Sequence, residues 1–364
     1  MGKRTPLYKV HSEKANIVEF AGFDMPLLYE SISEEVMSVR NSVGIFDVSH
    51  MGRVAFSGKD AGAFLDFITS QEISKLELSQ ARYALILNEE GGIKDDIIVV
   101  RRGEESYLVV WNAANREKNM NWVDEHAKGF DVEIKDLSDR SFMIAIQGPK
   151  SEAILQQICD RKLDALKRFR GTEGYVKAAK CLITRTGYTG EDGFELISED
   201  IEMAEDIWRN LVSLGATPAG LGARDVLRIE AGLPLYGHEI NEDINPFEAR
   251  LEFAVKLQKE NFVGKAALER VKDNITKKRF GIKMIGKGIP REGYKVYSQG
   301  KEIGFVTSGT YSPTTNCGIA MAYLPPSAKL GEEVTIKIRG RDERGTVSDF
   351  PFYDVEKYGW KRKR

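Results

Sequence analysis

The chain has 364 residues, 42% hydrophobic and 30% charged, a globular balance at a length that implies two or three domains and excludes a single small module or global disorder. Lys and Arg total 53 against 55 Asp and Glu, so there is no cationic excess to hold a polyanion, and nucleic acid is not an expected partner. Cys159, Cys181 and Cys317 are too dispersed for a redox pair or a zinc set and read as buried thiols of a reducing compartment; no apolar run reaches the ~20 residues of a membrane span and no leader pattern opens the chain, so a cytoplasmic location without membrane contact is expected.

Along the chain, Ser33 followed by Glu34 and Glu35 predicts an N-cap with an acidic first turn, and Val36, Val39 and Val43 give a short helix before Gly44. Residues 60–70 repeat this with Asp60 as cap and Phe64, Leu65, Phe67 and Ile68 as an apolar face. Residues 83–87, 93–101 and 107–111 read as strands separated by Gly-rich or acidic turns, an antiparallel meander. Helical patterns return at 115–128, 151–159 and 200–214, interleaved with strands at 141–146 and 179–183. From about Arg279 short strands at 279–285, 294–298, 302–307, 317–323 and 333–338 predict a separate β-barrel, entered through a helix at 265–271. Helices and antiparallel strands without regular alternation argue an α+β fold over a doubly wound sheet.

Several chemistries lack a foothold. Gly281 to Lys287 spells a phosphate-loop pattern, but Gly288 stands where Ser or Thr is needed and Pro290 forbids the following helix. Gly220-Leu221-Gly222 lacks the third glycine of a dinucleotide loop, the four His form no metal-binding pair, and no nucleophile elbow is present. Neither metal nor nucleotide is expected.

Three features carry chemistry. Asp95 and Asp96 open an apolar strand; side chains alternate, so Asp95 shares a face with Ile97 and Asp96 with Ile98, and one pocket can receive only one of them. Both acids could simply end a strand beside the Gly91-Gly92 turn, or one could manage a proton from a rigid position. Glu195, between Phe194 and Leu196, is costly to bury unless paired, and the N–H groups of a pterin or purine edge would pair with it; the plain alternative is a hairpin acid. Arg224 and Arg228 lie four apart on a predicted helix, suited to a solvated ion-pair face or to an anionic ligand tail.

These pieces occur in strings that together resemble the aminomethyltransferase, or T-protein, family of the glycine cleavage system. They are His11, Phe20-Ala21-Gly22-Phe23-Asp24-Met25-Pro26-Leu27 and Tyr29; Val39-Arg40-Asn41-Ser42-Val43-Gly44-Ile45-Phe46-Asp47-Val48-Ser49-His50-Met51-Gly52; Gly91-Gly92-Ile93-Lys94-Asp95-Asp96; Arg185-Thr186-Gly187-Tyr188-Thr189-Gly190-Glu191-Asp192-Gly193; Gly222-Ala223-Arg224-Asp225, then Arg228 and Glu230 to Gly237; and Phe262-Val263-Gly264-Lys265. The resemblance spans nearly the whole chain. It implies a ring of three domains around a central folate pocket: a discontinuous folate-binding domain at 1–54 and 136–275, an inserted α+β domain at 55–135, and the barrel at 276–364.

The resemblance further implies transfer of the one-carbon unit of an aminomethyl group, held on the lipoyl arm of the H-protein, to tetrahydrofolate. Ammonia and 5,10-methylenetetrahydrofolate would be the products, with the P- and L-proteins as indirect partners. Residue by residue, Asp96 corresponds to the catalytic carboxylate, Glu195 to the acid pairing with the pterin edge and Arg224 to a ligand-binding arginine. Tyr83, Asn112 and Tyr188 are expected pocket members, and Tyr358 and Arg362 are expected to close the pocket or meet the glutamate tail. For Lys361-Arg362-Lys363-Arg364 a frayed, solvated tail is the alternative. A non-transferase folate-binding relative would carry K-G-C-[YF]-x-G-Q, where this chain has Gly232-Leu233-Pro234-Leu235-Tyr236-Gly237.

Overall fold

The computed structural model describes residues 2–362. A six-stranded sheet runs in the order Gly171–Val176, Ala179–Thr184, Gly193–Ser198, Phe142–Gln147, Gly44–Asp47, Thr217–Pro218, antiparallel except for its last pair. A five-stranded antiparallel sheet runs Ala81–Leu87, Ile93–Gly103, Ser106–Trp111, Gly52–Ser57, Glu133–Asp136. Six further strands, Lys278–Met284, Cys317–Leu324, Lys301–Ser312, Lys295–Ser298, Glu333–Ile338 and Arg341–Ser348, close into a barrel. A small sheet of Lys3–Arg4, Phe23–Leu28 and Asn16–Phe20 completes the α+β architecture.

The predicted meander is the first three strands of the five-stranded sheet, and its alternation decides what each face does. Ile97 and Val99 pack with Phe64 and Trp122 from helices Ala61–Ile68 and Arg116–His126. On the opposite face Val100 joins a core with Val36, Phe46 and Val48, which fastens the five-stranded sheet to the six-stranded one. Burying both faces of one strand explains its near-continuous apolar run.

Local chemistry moves several boundaries. Helix Ile32–Asn41 is capped by Ser31, not Ser33: Ser31 Oγ accepts from Glu34 N at 3.2 Å and donates to the Glu34 carboxylate at 3.0 Å, a side-chain cap that places Ser33 inside the helix. Asp60 precedes helix Ala61–Ile68 but accepts from Asp131 N at 2.9 Å instead of capping it. The helix expected at 151–159 stops at Leu155, because Gln156 turns its amide to the carbonyls of Cys159 and Arg161. Of the cysteines Cys181 is buried, whereas Cys159 and Cys317 are partly exposed. Helix Leu221–Ala231 starts at Gly220, whose Cβ would stand 2.3 Å from Leu27 O, and ends at Gly232 with φ 74°. No helix among the described residues is long and apolar enough to cross a membrane.

Candidate active site

A cavity of about 1450 Å³ opens where the three sheet systems meet: Asp96, Ile98 and Asn112 come from the five-stranded sheet and its exit, Met143 and Glu195 from the six-stranded sheet, and Arg279, Thr307 and Ser308 from the barrel. That exceeds the ~300–1,000 Å³ of a typical ligand pocket.

Asp96 sits near the start of strand Ile93–Gly103, on the face that looks into the cavity. Its carboxylate accepts from Tyr83 Oη at 3.0 Å and from Asn112 Nδ2 at 2.8 Å. Burial raises its pKa; the two hydrogen bonds and the Arg279 charge pull the other way. Tyr83 is held well above its ordinary range, first by burial and then by the Asp96 charge, so it acts as a donor. Phe253, 65% exposed, stacks on the Tyr83 ring at 5.8 Å and also lines the cavity.

Glu195 enters the same cavity from strand Gly193–Ser198, where it pairs with Ala145 and Thr184. Thr186 Oγ1 donates to it at 2.5 Å and is itself hydrogen-bonded to the Thr184 hydroxyl at 2.6 Å. Burial raises the Glu195 pKa, with Thr186 and Arg224 opposing. Arg224 lines the cavity with its guanidinium 4.9 Å from the Tyr188 ring and has no ion pair among the described residues. Its helical neighbour Arg228 is committed to structure, bonded to Asp225 at 2.8 Å, Glu239 at 2.6 Å and Ser308 at 2.8 Å. Tyr188 also lines the cavity, and its hydroxyl donates to Pro234 O.

Tyr358 reaches the wall, 8% exposed and edge-on to Tyr353. Arg362 does not: it donates to the buried Glu191 carboxylate and to Arg40 O, outside the lining. The reason is charge: Glu191 and Glu230 both press on Arg40, and Arg362 supplies the second cation. Lys361 lines the cavity, whereas Lys363 and Arg364 lie outside the described residues.

Sequence reasoning missed His50, 2% exposed and lining the cavity, with Nδ1 lacking a partner among the described residues. Burial, assisted by Arg224, pushes its pKa down to about 3, so it stays neutral. It missed Arg168, whose guanidinium lies 4.3 Å from the Trp360 ring at the cavity wall. Neither had a local signal; both are brought in by distant parts of the fold.

A cavity shared by three sheet systems, with acids from two different sheets, an arginine over an aromatic ring and a neutral imidazole, defines a small-molecule site more than a docking groove. The family model described as the GCVT N-terminal domain matches residues 7–259, and the one described as the glycine cleavage T-protein C-terminal barrel domain matches 277–354. An aminomethyltransferase of Thermosipho melanesiensis is 45% identical over 353 residues, 96% of this chain and 97% of its own; one of Rubrobacter xylanophilus is 47% identical over 354 residues, 96% of this chain and 94% of its own. The crystal structure of glycine cleavage system aminomethyltransferase T from Bartonella henselae superposes with a TM-score of 0.92 at 34% identity, covering 99% of this chain and 100% of that one. The chain belongs to the glycine cleavage T-protein family of aminomethyltransferases and is an enzyme.

Proposed function

We propose that the enzyme transfers the one-carbon unit of an aminomethyl group, carried as a thioether on the lipoyl arm of the H-protein, to tetrahydrofolate, releasing ammonia and leaving 5,10-methylenetetrahydrofolate and the dihydrolipoyl arm. The observation that carries this reading is that Asp96 and Glu195, 99 positions apart in sequence, open onto one cavity from two different sheets. The site residues fit a reduced folate: Glu195 offers two acceptor oxygens to the adjacent N–H groups of a pterin edge, and Thr186 fixes the direction of one of them.

Asp96 serves the reacting end. As a carboxylate oriented by Tyr83 and Asn112, it stabilises positive charge developing on the attacking and departing nitrogens and can take or return a proton without a covalent enzyme intermediate. Arg224, Tyr188 and Tyr358 complete the walls. On this reading the chain divides into 1–54 with 136–275, 55–135 and 276–364, the cavity lying among the three parts. The alternative, a folate-binding relative without transferase activity, predicts binding but no product.

Calorimetric titration with tetrahydrofolate, followed by a product assay with aminomethylated H-protein, separates the two. The expected result is saturable binding, product formation dependent on both substrates, and at least ~10-fold weaker folate binding by Glu195→Gln, the scale of one charge-assisted hydrogen bond. No heat of binding at millimolar folate would remove the proposal.

A further inference from the structure

Asp95, the acid that does not face the cavity, is among the most completely satisfied side chains in the protein. It is 0% exposed, on the face of strand Ile93–Gly103 turned toward helix Arg116–His126. Oδ1 accepts from Asn112 Nδ2 at 2.7 Å and from Asn115 Nδ2 at 2.7 Å; Oδ2 accepts from the Asn112 backbone N–H at 3.1 Å and from Asn119 Nδ2 at 2.6 Å. Every one of these partners is a donor, and a protonated carboxyl would have to aim its own proton at an N–H. The cage therefore suits the anion.

The cage is also joined to the cavity by one group. Asn112 Nδ2 bridges Asp95 Oδ1 at 2.7 Å and Asp96 Oδ1 at 2.8 Å, so one amide touches both acids. We infer that Asp95 is a positioning residue for the transfer reaction: it locks Asn112 so that the Asp96 carboxyl is aimed into the cavity. The inference rests on the proposed role of Asp96.

Toward Asp95 stand Lys118 of helix Arg116–His126 and Tyr236, and Glu242 lies 3.3 Å from Lys94 and 3.5 Å from Lys118. Lys118 also donates to Lys94 O at 2.7 Å and Tyr236 Oη at 2.5 Å. Tyr236 is held neutral by burial, with the Glu242 and Asp95 charges reinforcing it. Toward Asp96 stand Tyr83 and Asn112, with Arg279 and Tyr188 farther off. No ion pair of either aspartate occurs among the described residues; the Asp96 charge bears on Asp95, while the charge that bears on Asp96 is Arg279. Burial and the Asp96 charge raise Asp95 to about 7, while Asn112, Asn115 and Asn119 oppose the rise.

The test is steady-state kinetics on Asp95→Asn and Asn119→Ala, with melting temperatures measured alongside and Asp96→Asn assayed with them. Asp95→Asn puts an amide donor into a cage made of donors, so Asn112 loses its anchor; Asn119→Ala removes one donor to Asp95 without touching Asp96. The kcat of Asp95→Asn should fall about 10-fold or more, within the range that misplacing a reacting group costs, and that of Asn119→Ala by less, with the folate KM little changed in both. Folded variants with wild-type kcat and only a lower melting temperature would overturn the inference, since they would make Asp95 purely structural. Loss of turnover in Asp96→Asn alone would sink only the inference, whereas wild-type kcat in Asp96→Asn as well would sink the reading of Asp96 together with it.

Discussion

An Asp96→Asn enzyme is expected to turn over at least ~10²-fold more slowly than the wild type, the range in which positioned acid-base and electrostatic groups act. The substitution preserves shape and leaves one oxygen, so either Tyr83 or Asn112 keeps an acceptor, but the two donors now on Asp96 no longer both find one. Folate affinity should change little, because the proposed Glu195 contact, made from a different sheet, is untouched. The loss should therefore fall on kcat more than on KM, the pattern of an interaction that strengthens in the transition state. Steady-state kinetics with melting temperatures measured in parallel checks this. Wild-type kcat in a folded variant would take Asp96 out of the mechanism.

The largest expected effect on stability comes from Arg40→Met. Arg40 is fully buried on helix Ile32–Asn41, donating to Glu230 Oε2 from Nε at 3.0 Å and from Nη2 at 2.8 Å, to Glu191 Oε1 at 3.1 Å and to Thr189 O at 2.8 Å. Glu230 also accepts from Ser312 Oγ of the barrel at 2.6 Å, and Glu191 from Gly359 N at 2.9 Å. One guanidinium thus ties helix Ile32–Asn41, the loop before strand Gly193–Ser198, helix Leu221–Ala231, the barrel and the C-terminal segment. Its removal leaves two buried carboxylates facing one remaining cation, Arg362, and breaking such a network costs about 3–5 kcal/mol. Denaturant unfolding should show that loss, and Arg40→Met combined with Glu230→Gln should recover part of it because one uncompensated charge disappears. A loss below ~1 kcal/mol for the single variant would mean the network is not structural.

The strongly patterned parts of the chain were legible beforehand. The meander, helix Lys265–Val271 and five of the barrel strands announce themselves by alternation or by caps, and the two faces of the Asp95–Asp96 strand follow from its period of two. Strand Arg341–Ser348 was not readable: Arg341, Asp342, Glu343 and Arg344 show no apolar alternation, and the segment is a strand because the barrel needs it to close. The cap at Ser31 was missed by preferring the serine next to the acids over the one three residues before Glu34.

At the site, Tyr83, Asp96, Asn112, Tyr188, Glu195, Arg224 and Tyr358 all reach the cavity, but that convergence was visible only through the family resemblance, because tertiary proximity leaves no mark in local sequence. Arg362 failed to reach it because the buried Glu191 claims its charge, a demand set by packing. Packing claims Arg279 in the same way: it ends the basic run Lys277-Lys278-Arg279, yet it is 3% exposed and donates to the carbonyls of Ala249 at 2.9 Å and Gly232 at 2.8 Å. By contrast, the amide cage of Asp95 was legible in part: Asn115 and Asn119, four apart at the start of helix Arg116–His126, share a face, whereas Asn112 joins them from the extended residue before the preceding turn.

The most direct check is a crystal structure of the enzyme with 5-methyltetrahydrofolate. The pterin edge should lie within hydrogen-bond distance of Glu195, with the N5 and N10 side turned to Asp96 between Tyr83 and Asn112. A folate seated elsewhere, with Asp96 and Glu195 touching solvent alone, would contradict the account.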